Sequence, residues 1–328
     1  MRKKITKSLL GIVAMSVIGL GLVACGEDSD LSNKDEEINI GILQFMEHNS
    51  LSDAREGFIS ELEDAGYTDG ENVEIEIMNA QGDQANLQSM SEQLAGNNDL
   101  MLAIATPASQ GLATVEEEKP ILFTAVTDAE DAGLVESNEE PGMNITGTSD
   151  MVPTDEQIDL LLSIDEAIET VGVIYNSSEP NSEIQAKLAL ETLEAEGMNT
   201  EVATVSSTND VQQALTSLAS DVDALYIPTD NTLASTADTV GEIATEYELP
   251  VVAGSTEQVV EGGLATYGIN YEALGRQTAQ MAIEIIENDA DPQTMEVEMT
   301  DHLELIVNDD MAESLGIDPD SITIPEEE

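Results

Sequence analysis

Short apolar runs alternate with amphipathic stretches along most of this chain, and they do so in two successive series. In the first series, each apolar run is long enough for a buried strand, and each stretch between two runs has the apolar spacing of a helix. Such repeats predict βαβ units and a parallel sheet. The predicted strands are Ile38–Gln44, Val73–Met78, Leu100–Ala105 and Ile121–Val126, and the predicted helices are Asp53–Ala65, Gln84–Leu94 and Ala108–Glu117.

The second series repeats this pattern. Its predicted strands are Thr170–Tyr175, Asn199–Val205, Ala224–Ile227 and Pro250–Ala253, and its predicted helices are Glu183–Glu196, Asp210–Ala219 and Leu233–Tyr247. A further strand, Leu264–Ile269, leads into a helix at Tyr271–Glu287. The length of 328 residues suits two lobes of roughly 100–150 residues each. We therefore predict an α/β fold with two Rossmann-like lobes, each containing a parallel sheet.

The order of the elements suggests that the chain crosses between the lobes more than once, as in a hinged clamshell. We expect lobe 1 to comprise residues 38–147 plus 272–292, and lobe 2 to comprise residues 148–271 plus 293–328. Residues 26–37 are short, polar and charged, which is typical of a tether.

Residues 1–25 have the pattern of a targeting segment. Four basic residues precede an almost wholly apolar or small stretch at 9–23, and the segment closes on Leu22-Val23-Ala24-Cys25. This closing sequence resembles the bacterial lipobox, whose cysteine becomes the lipidated first residue of the mature protein. An ordinary cleaved signal peptide and a single membrane anchor are the alternatives. We expect a lipoprotein anchored through Cys25 to the extracellular face of a bacterial cell membrane.

Acidic residues greatly outnumber basic ones, with 68 Asp and Glu against 9 Lys and Arg, and the formal net charge is −59 at pH 7. This balance excludes a sequence-independent nucleic-acid binder, which needs clusters of Lys and Arg. We interpret the acidity as a halophilic surface whose self-repulsion is screened by salt, and recruitment of a cationic ligand is the alternative. Cys25, His48 and His302 cannot build a common four-ligand zinc site, so we expect no metal and no cofactor.

Ligand-binding residues are expected directly after strands, because open α/β sheets bind ligands beyond the carboxyl ends of their strands. In lobe 1 the candidates are Phe45, His48, Thr106, Ser109, Thr127 and Asp128. The hydroxyls of Thr106 and Ser109, with the amides that open the next helix, could hold an anion. Helix capping by Thr106 is the alternative, as are a turn cap at Asp128 and a hydrogen-bonded loop position at His48.

Lobe 2 offers candidates after two of its strands. Tyr175 and Asn176 end one strand and could supply a ring and an amide. Packing in the core is the alternative for the rings of Phe45 and Tyr175. Asp230 and Asn231 lie between another strand and a helix. A carboxylate at Asp230 could pair with an ammonium group, and capping of the helix is the alternative.

Catalytic motifs are missing from the sequence. It contains no Gly-x-Ser-x-Gly elbow, no Gly-x-Gly-x-x-Gly turn and no Walker loop, and pairs of carboxylates are uninformative in so acidic a chain. We therefore expect a protein that is not an enzyme. An extracellular hydrolase that uses His48 and nearby acids is the alternative.

An ordered set of segments resembles the tryptophan/tyrosine-type substrate-binding proteins of ABC transporters, over almost the whole chain after the tether. The segments are Ile40-Gly41-Ile42-Leu43-Gln44, Glu47-His48, Asp53-Ala54-Arg55-Glu56-Gly57-Phe58, Ala65-Gly66-Tyr67, Gly70-Glu71-Asn72-Val73, Asn79-Ala80-Gln81-Gly82-Asp83, Ala105-Thr106-Pro107-Ala108-Ser109-Gln110, Val126-Thr127-Asp128, Ala132-Gly133-Leu134-Val135, Asn144-Ile145-Thr146-Gly147, Thr229-Asp230-Asn231, Tyr267-Gly268-Ile269-Asn270-Tyr271 and Leu274-Gly275. The chain departs from the family at Asp128-Ala129, where Asp-Pro is frequent, and at Ala108-Ser109-Gln110, where Ala-Ala-Gln is frequent. These departures leave the identity of the ligand open.

The resemblance implies a type I periplasmic-binding fold, in which two lobes joined by a multi-strand hinge close on one small molecule. It implies an ABC importer subunit that delivers an aromatic or other apolar amino acid to a permease and its ATPase. From their positions, we expect the Thr106–Ser109 turn to take the ligand carboxylate and Asp230 its amine, assisted by Thr127 and Asn231. A sensor that signals to a membrane receptor is the alternative function, and branched amino acids, purine-like molecules and sugars are alternative ligands.

Overall fold

The computed structural model describes residues 38–300 and 303–324. The targeting segment with Cys25, the tether and His302 lie outside the described residues. Within those ranges, no helix combines the length and the apolar character that crossing a membrane requires.

The first sheet has the strand order β11-β5-β4-β3-β1-β2, and all its pairs are parallel. Its central strands β3 and β4 are buried at every position, because helices cover both faces of a parallel sheet. Its elements are β1 (Ile38–Gln44), α1 (Asn49–Asp64), β2 (Val73–Asn79), α2 (Gln84–Asn97), β3 (Leu100–Ile104), α3 (Thr106–Val115), β4 (Ile121–Val126), β5 (Ile145–Ser149), α10 (Tyr271–Asn288) and β11 (Glu298–Met299).

The second sheet has the order β12-β10-β9-β8-β6-β7, and only its β10–β12 pair is antiparallel. Its elements are α4 (Thr154–Ile164), β6 (Thr170–Asn176), α5 (Pro180–Ala195), β7 (Asn199–Val205), α6 (Thr208–Ala219), β8 (Ala224–Ile227), α7 (Asn231–Ala234), α8 (Ala237–Tyr247), β9 (Val251–Ala253), α9 (Thr256–Glu261), β10 (Ala265–Ile269), β12 (Leu303–Val307) and α11 (Asp309–Leu315). Each sheet has its own hydrophobic core, so the predicted fold of two α/β lobes is confirmed.

The chain passes from one sheet to the other after β5 and again after β10. Strand β11 belongs to the first sheet and β12 to the second, with residues 301–302 between them outside the described ranges. Helix α4 packs on lobe 2, whereas α10 returns to lobe 1 and packs on α1, β4 and β5. Strand β11 pairs with β5 of the first sheet, although its residues fall in the range 293–328 expected for lobe 2. The division into lobes at the expected boundaries stays a prediction.

The predicted helix at Leu233–Tyr247 is interrupted in the structure. It is replaced by the short α7 and by α8, with Ser235 and Thr236 between them. The hydroxyls of Ser235 and Thr236 both donate to the Thr232 carbonyl oxygen, at 2.9 Å each. Side chains that bond to the backbone locally compete with the helical pattern, which explains the interruption.

Candidate ligand-binding site

A cleft of about 1370 Å³ separates the two lobes at the ends of their strands. Its wall is formed by loops and helix starts that follow β1, β2 and β3 in lobe 1 and β6, β7 and β8 in lobe 2. The lining residues include Phe45, Met46, Glu47, Asp83, Leu87, Pro107, Gln110 and Val115 from lobe 1, and Asn176, Ser178, Glu179, Ser206, Thr208, Thr232 and Thr236 from lobe 2.

A second space, called the interlobe cavity below, is enclosed between the same lobes and has a volume of about 10 Å³. It is lined by His48, Ser50, Leu51, Ala125, Asp150, Asn181, Thr229, Asp230, Asn231, Ala234, Ser255, Gln258 and Tyr271. This volume is on the scale of one water molecule. A ligand as large as an amino acid therefore requires the lobes to move apart before it can enter.

Three consecutive residues at the start of α1 bridge the lobes by hydrogen bonds. His48 Nε2 lies 3.1 Å from Asn231 Oδ1, and Asn49 donates to the carboxylate of Glu261. The Ser50 hydroxyl donates to Glu257 Oε2 at 3.0 Å and lies 3.3 Å from the Ser255 hydroxyl. These hydrogen bonds hold the two lobes together at this point, since each joins a residue of lobe 1 to a residue of lobe 2.

The His48 side chain lines the interlobe cavity. Asn231 Oδ1 can only accept, so the His48 ring donates from Nε2, and in the neutral ring Nδ1 is then an acceptor. That Nδ1 is buried and has no hydrogen-bond partner. Burial lowers the pKa of His48 to about 4, although the bond to Asn231 and the charge of Glu47 act in the opposite direction. The imidazole is therefore neutral at pH 7.

Asp230 and Glu179 form a buried acidic pair in lobe 2. The Asp230 carboxylate accepts from the Leu233 amide at 2.8 Å and from the Asn176 amide at 2.6 Å, so it caps α7 and holds the end of β6. Burial raises the pKa of Asp230 well above its usual range, and the Glu179 charge adds to this effect. Asp230 therefore has the helix-capping role that was the alternative for this position. Its pairing with a ligand ammonium group stays a prediction.

Glu179 organises the turn that carries Asp230. Its carboxylate accepts from the Asn231 amide nitrogen and side chain, at 3.1 and 2.6 Å, and from the Thr232 hydroxyl at 2.8 Å. It also accepts from the Asn176 side chain at 3.1 Å. Sequence reasoning missed Glu179, because one acid among 68 Asp and Glu residues gives no signal of its own.

Asp150 is a second buried carboxyl group of the interlobe cavity, and it lies in lobe 1. Its Oδ1 accepts from the Thr127 hydroxyl at 2.9 Å, and its Oδ2 accepts from the Tyr271 hydroxyl at 2.7 Å. Burial raises the pKa of Asp150, while the two hydroxyl donors lower it. Sequence reasoning missed this residue as well. Asp150 directly follows β5, so the rule of residues after strands applies to it once that strand is recognised.

The turn after β3 differs from the expected cap. Ala105, with φ 84°, precedes α3, and Thr106 is the first helical residue. The Thr106 hydroxyl is buried without a partner, whereas the Ser109 hydroxyl donates to the Ala105 carbonyl at 3.0 Å. Ala125, at the end of the neighbouring β4, also has a positive φ, 56°. Strained backbone of this kind clusters at ligand-binding sites, so the two alanines make this edge of lobe 1 a candidate site.

The structure brings some of the predicted site residues together and separates others. His48, Asp230 and Asn231 line the interlobe cavity, Phe45 and Asn176 line the cleft, and Thr127 is one hydrogen bond from the cavity through Asp150. Thr106, Ser109, Asp128 and Tyr175 line neither space. Asp128 Oδ1 accepts from the Asp131 amide at 3.0 Å, as a turn cap does. Contact of these residues with a ligand stays a prediction.

Lysine and arginine side chains are absent from both spaces in the part of the chain that the structure describes. Arg55 donates to Gln44, Lys119 donates to the carbonyls of Ala95 and Asn98, and Lys187 and Arg276 pair with surface carboxylates. Across residues 38–300 and 303–324, no group of three or more His, Cys, Asp or Glu side chains is arranged to hold a metal ion.

Comparison with known proteins gives one family. A sequence model of the ABC transporter substrate binding protein family matches residues 39–327. The chain is 37% identical to a tyrosine-binding protein of Clostridioides difficile over 322 residues, which are 95% of this chain and 93% of that protein.

Solved structures that are similar to this one over most of its length include the following two. One is an ABC domain from Streptococcus pneumoniae in complex with L-Trp, with a TM-score of 0.83 and 37% identity, covering 89% of this chain and 97% of that one. The other is a ligand-free, open structure of a substrate binding protein from Clostridium difficile. It has a TM-score of 0.67 and 40% identity, covering 86% of this chain and 95% of that one.

Proposed function

Since this chain belongs to the family of ABC transporter substrate binding proteins, we propose that it is the extracytoplasmic substrate-binding subunit of an ABC importer. It captures an aromatic or other apolar amino acid between its lobes and delivers it to the permease, which works with an ATPase subunit. It has no catalytic activity. A lipid on Cys25 anchors it to the outer face of the cell membrane, and residues 26–37 tether it there.

The observation that carries this proposal is the interlobe cavity, which is lined by polar residues of both lobes and bridged by hydrogen bonds. The overall arrangement overlays better on the L-Trp complex than on the ligand-free, open structure, although the identity to the open structure is no lower. This difference supports two states, open and closed, between which a ligand shifts the population.

The relatives support the class of ligand. One is named for tyrosine, and another was solved with L-Trp. In this chain, we place the ligand amine at Asp230 and its carboxylate at the first turn of α3, near the unpartnered hydroxyl of Thr106. Thr127 and Asn231 assist, and Phe45 supplies apolar wall in the cleft. The remaining contacts proposed are His48, Ser109, Asp128, Tyr175 and Asn176.

The first experiment is a thermal-unfolding screen of the purified full-length chain in detergent, against L-amino acids, nucleosides and sugars. A ligand at about 100 times its Kd adds about 2.7 kcal/mol to the free energy of unfolding, which raises Tm. We expect Tm to rise with L-Trp, L-Tyr or L-Phe and the radius of gyration in solution scattering to fall with the same compounds. Stabilisation by nucleosides or sugars alone would contradict an amino-acid ligand.

Transport is separated from sensing by reconstitution. If this chain serves an importer, uptake of the stabilising amino acid into vesicles that contain the permease and ATPase requires it. A protein that binds the amino acid but supports no uptake, and instead alters the output of a membrane receptor, would be the sensor.

A further inference from the structure

Two buried carboxyl groups from different lobes line the interlobe cavity. Asp150 follows β5 of lobe 1, and Asp230 follows β8 of lobe 2. Each residue is only 2% exposed. Buried carboxylates are costly unless a cation or several donors compensate their charge. Each carboxylate accepts two hydrogen bonds from its own lobe, but all four donors are uncharged groups, so no cation offsets the two acids that meet at this cavity.

The compensating cation does not come from the described part of the chain. The basic side chains there are Arg55, Lys119, Lys187 and Arg276, and none of them lines the cavity. His48 does line it, but as a neutral ring. A cation that enters the cavity therefore comes from outside the described chain.

Unpartnered acceptors in the same cavity indicate the kind of cation. Asn181 is 5% exposed, and its Oδ1 is buried without a hydrogen-bond partner, because its amide nitrogen already donates to the Thr229 carbonyl and Ser182. His48 Nδ1 is likewise buried and unpartnered. Both atoms accept hydrogen bonds and neither donates in this arrangement, so they call for a donor.

We propose that Asp150 and Asp230 form a clamp for the ammonium group of the ligand, with one carboxylate from each lobe and with Asn181 Oδ1 as the third acceptor. A primary ammonium has three N–H donors, which match these three acceptors. The cavity volume of about 10 Å³ suits a single small polar group rather than a side chain. This inference rests on the proposed function, and Asp150 is the residue that it adds.

The hydroxyls of Thr127 and Tyr271 hold Asp150 in place for this role. Each donates to a different oxygen of the carboxylate. A carboxylate oxygen accepts more than one hydrogen bond, so both oxygens retain capacity for an ammonium donor. Tyr271 begins α10 directly after the second crossing between the lobes, so the position of Asp150 is tied to that crossing.

The clamp also couples recognition to closure. Closing the lobes brings two like-charged groups to one cavity, which is unfavourable unless a cation lies between them. With an ammonium group bound, each carboxylate attracts the shared cation and closure becomes favourable. A ligand without an amine is therefore expected to bind weakly and to leave the lobes open.

The test is titration calorimetry on the full-length chain with L-Trp and L-Tyr, and with the analogues that lack the amine, indole-3-propionate and 3-(4-hydroxyphenyl)propionate. We expect the analogues to bind at least about 100-fold more weakly than the amino acids. Asp150→Asn and Asp230→Asn should each raise Kd by at least about tenfold, since each removes one partner of a buried charge pair. Asp131→Asn removes an exposed carboxylate of lobe 1 and should leave Kd unchanged.

Each outcome has one meaning. If wild type binds neither amino acid nor any other in the screen, the proposed function fails. If wild type binds an amino acid and Asp150→Asn binds it with the same Kd as Asp131→Asn, the clamp is overturned and the proposed function stands. The clamp is also overturned if wild type binds the amine-free analogues as tightly as the amino acids. Stabilisation by NaCl or KCl without amino acid, lost in Asp150→Asn, overturns it in favour of a metal cation. If Asp150→Asn does not fold, the Kd values of the amino acids and of their amine-free analogues for wild type still test the clamp.

Discussion

His48 shows how one side chain can be both a contact between lobes and a titrating group. Its Nε2 bridges to Asn231, 183 residues away in the chain, and its ring is neutral because burial disfavours the charged form. In the unfolded chain the pKa of this histidine is near 6.5, compared with about 4 in the folded protein. Protonation of His48 is therefore linked to unfolding.

The sign of this linkage follows from the direction of the shift. Between pH 6.5 and 4 the unfolded chain binds the proton and the folded chain does not, so the contribution of His48 to stability is present above pH 6.5 and is lost as the pH falls towards 4. We expect His48→Gln, which can still donate to Asn231, to lose less stability over this range, by up to roughly 3 kcal/mol. Urea unfolding at pH 7.5 and pH 4.5 measures the difference.

The stability of His48→Gln must be compared with that of wild type at both pH values, because other groups also titrate. Burial raises the pKa values of Asp150, Asp230 and Glu257. Those groups act with the opposite sign: their folded forms hold protons more tightly, so stability falls as the pH rises through their folded pKa values. The free energy of unfolding of wild type minus that of His48→Gln, taken at each pH, gives the contribution of the histidine alone. A difference that does not change with pH would show that His48 is not buried in its neutral form.

Helices α1 and α10 are held close together by glycines that face each other's backbone. A Cβ atom added at Gly275 would overlap the carbonyl oxygen of Ala54 in α1, and one added at Gly57 would overlap the carbonyl oxygen of Glu272 in α10. Arg276 joins the same helices at the surface, through Glu61 at 3.1 Å and Asp64 at 3.0 Å. Because α10 follows a crossing between the lobes, this packing also fixes where the crossing meets lobe 1.

We expect Gly275→Ala to lower the free energy of unfolding by about 1–3 kcal/mol, because the clash is with backbone and cannot be relieved by a side-chain rotation. The matched control is Gly96→Ala in α2, where no atom lies within 4 Å of the added Cβ. Alanine is the better helix former, so this control should be neutral or stabilising by up to about 1 kcal/mol. Equal unfolding free energies of the two variants in urea would contradict close packing of α1 on α10.

The whole molecule carries a formal net charge of −59. The four Lys and Arg residues in the described part of the chain each contact only a few nearby groups, so they do not offset the charge of the many acids. Self-repulsion of this size opposes the compact state. Salt weakens it, since the Debye length falls from about 10 Å at 0.1 M to about 3 Å at 1 M. The salt concentration is therefore a direct control of the stability of this protein.

We expect Tm to rise by at least about 5 °C between 0.1 and 1 M NaCl, and scanning calorimetry measures it. Screening depends on ionic strength and not on the identity of the cation, so KCl should give the same curve, and most of the rise should occur below about 1 M. A Tm that is independent of salt would contradict the interpretation of the acidic surface as adapted to high salt.

The pattern of apolar runs was enough to predict two α/β lobes, most strands and the location of candidate residues after strands. That success has a local cause, since strand and helix periodicities are written in neighbouring residues and parallel sheets bury nearly continuous apolar strands. Family resemblance was equally accessible, because it is carried by segments in order along the chain. Even the glycines at 57 and 275 were visible as part of those segments, although their role in the packing of α1 on α10 was not.

The joining of distant residues depended on the three-dimensional arrangement. Asp150 and Asp230 line one cavity only because β5 and β8 end on facing sides of two lobes. Glu179 belongs to the site only because the loop after β6 brings its carboxylate within hydrogen-bond distance of Asn231 and Thr232 in α7. Acidic side chains are so common in this chain that none stands out until burial removes it from water. Burial and partners are properties of the folded lobes, and they distinguish a few costly carboxyl groups from many solvated ones.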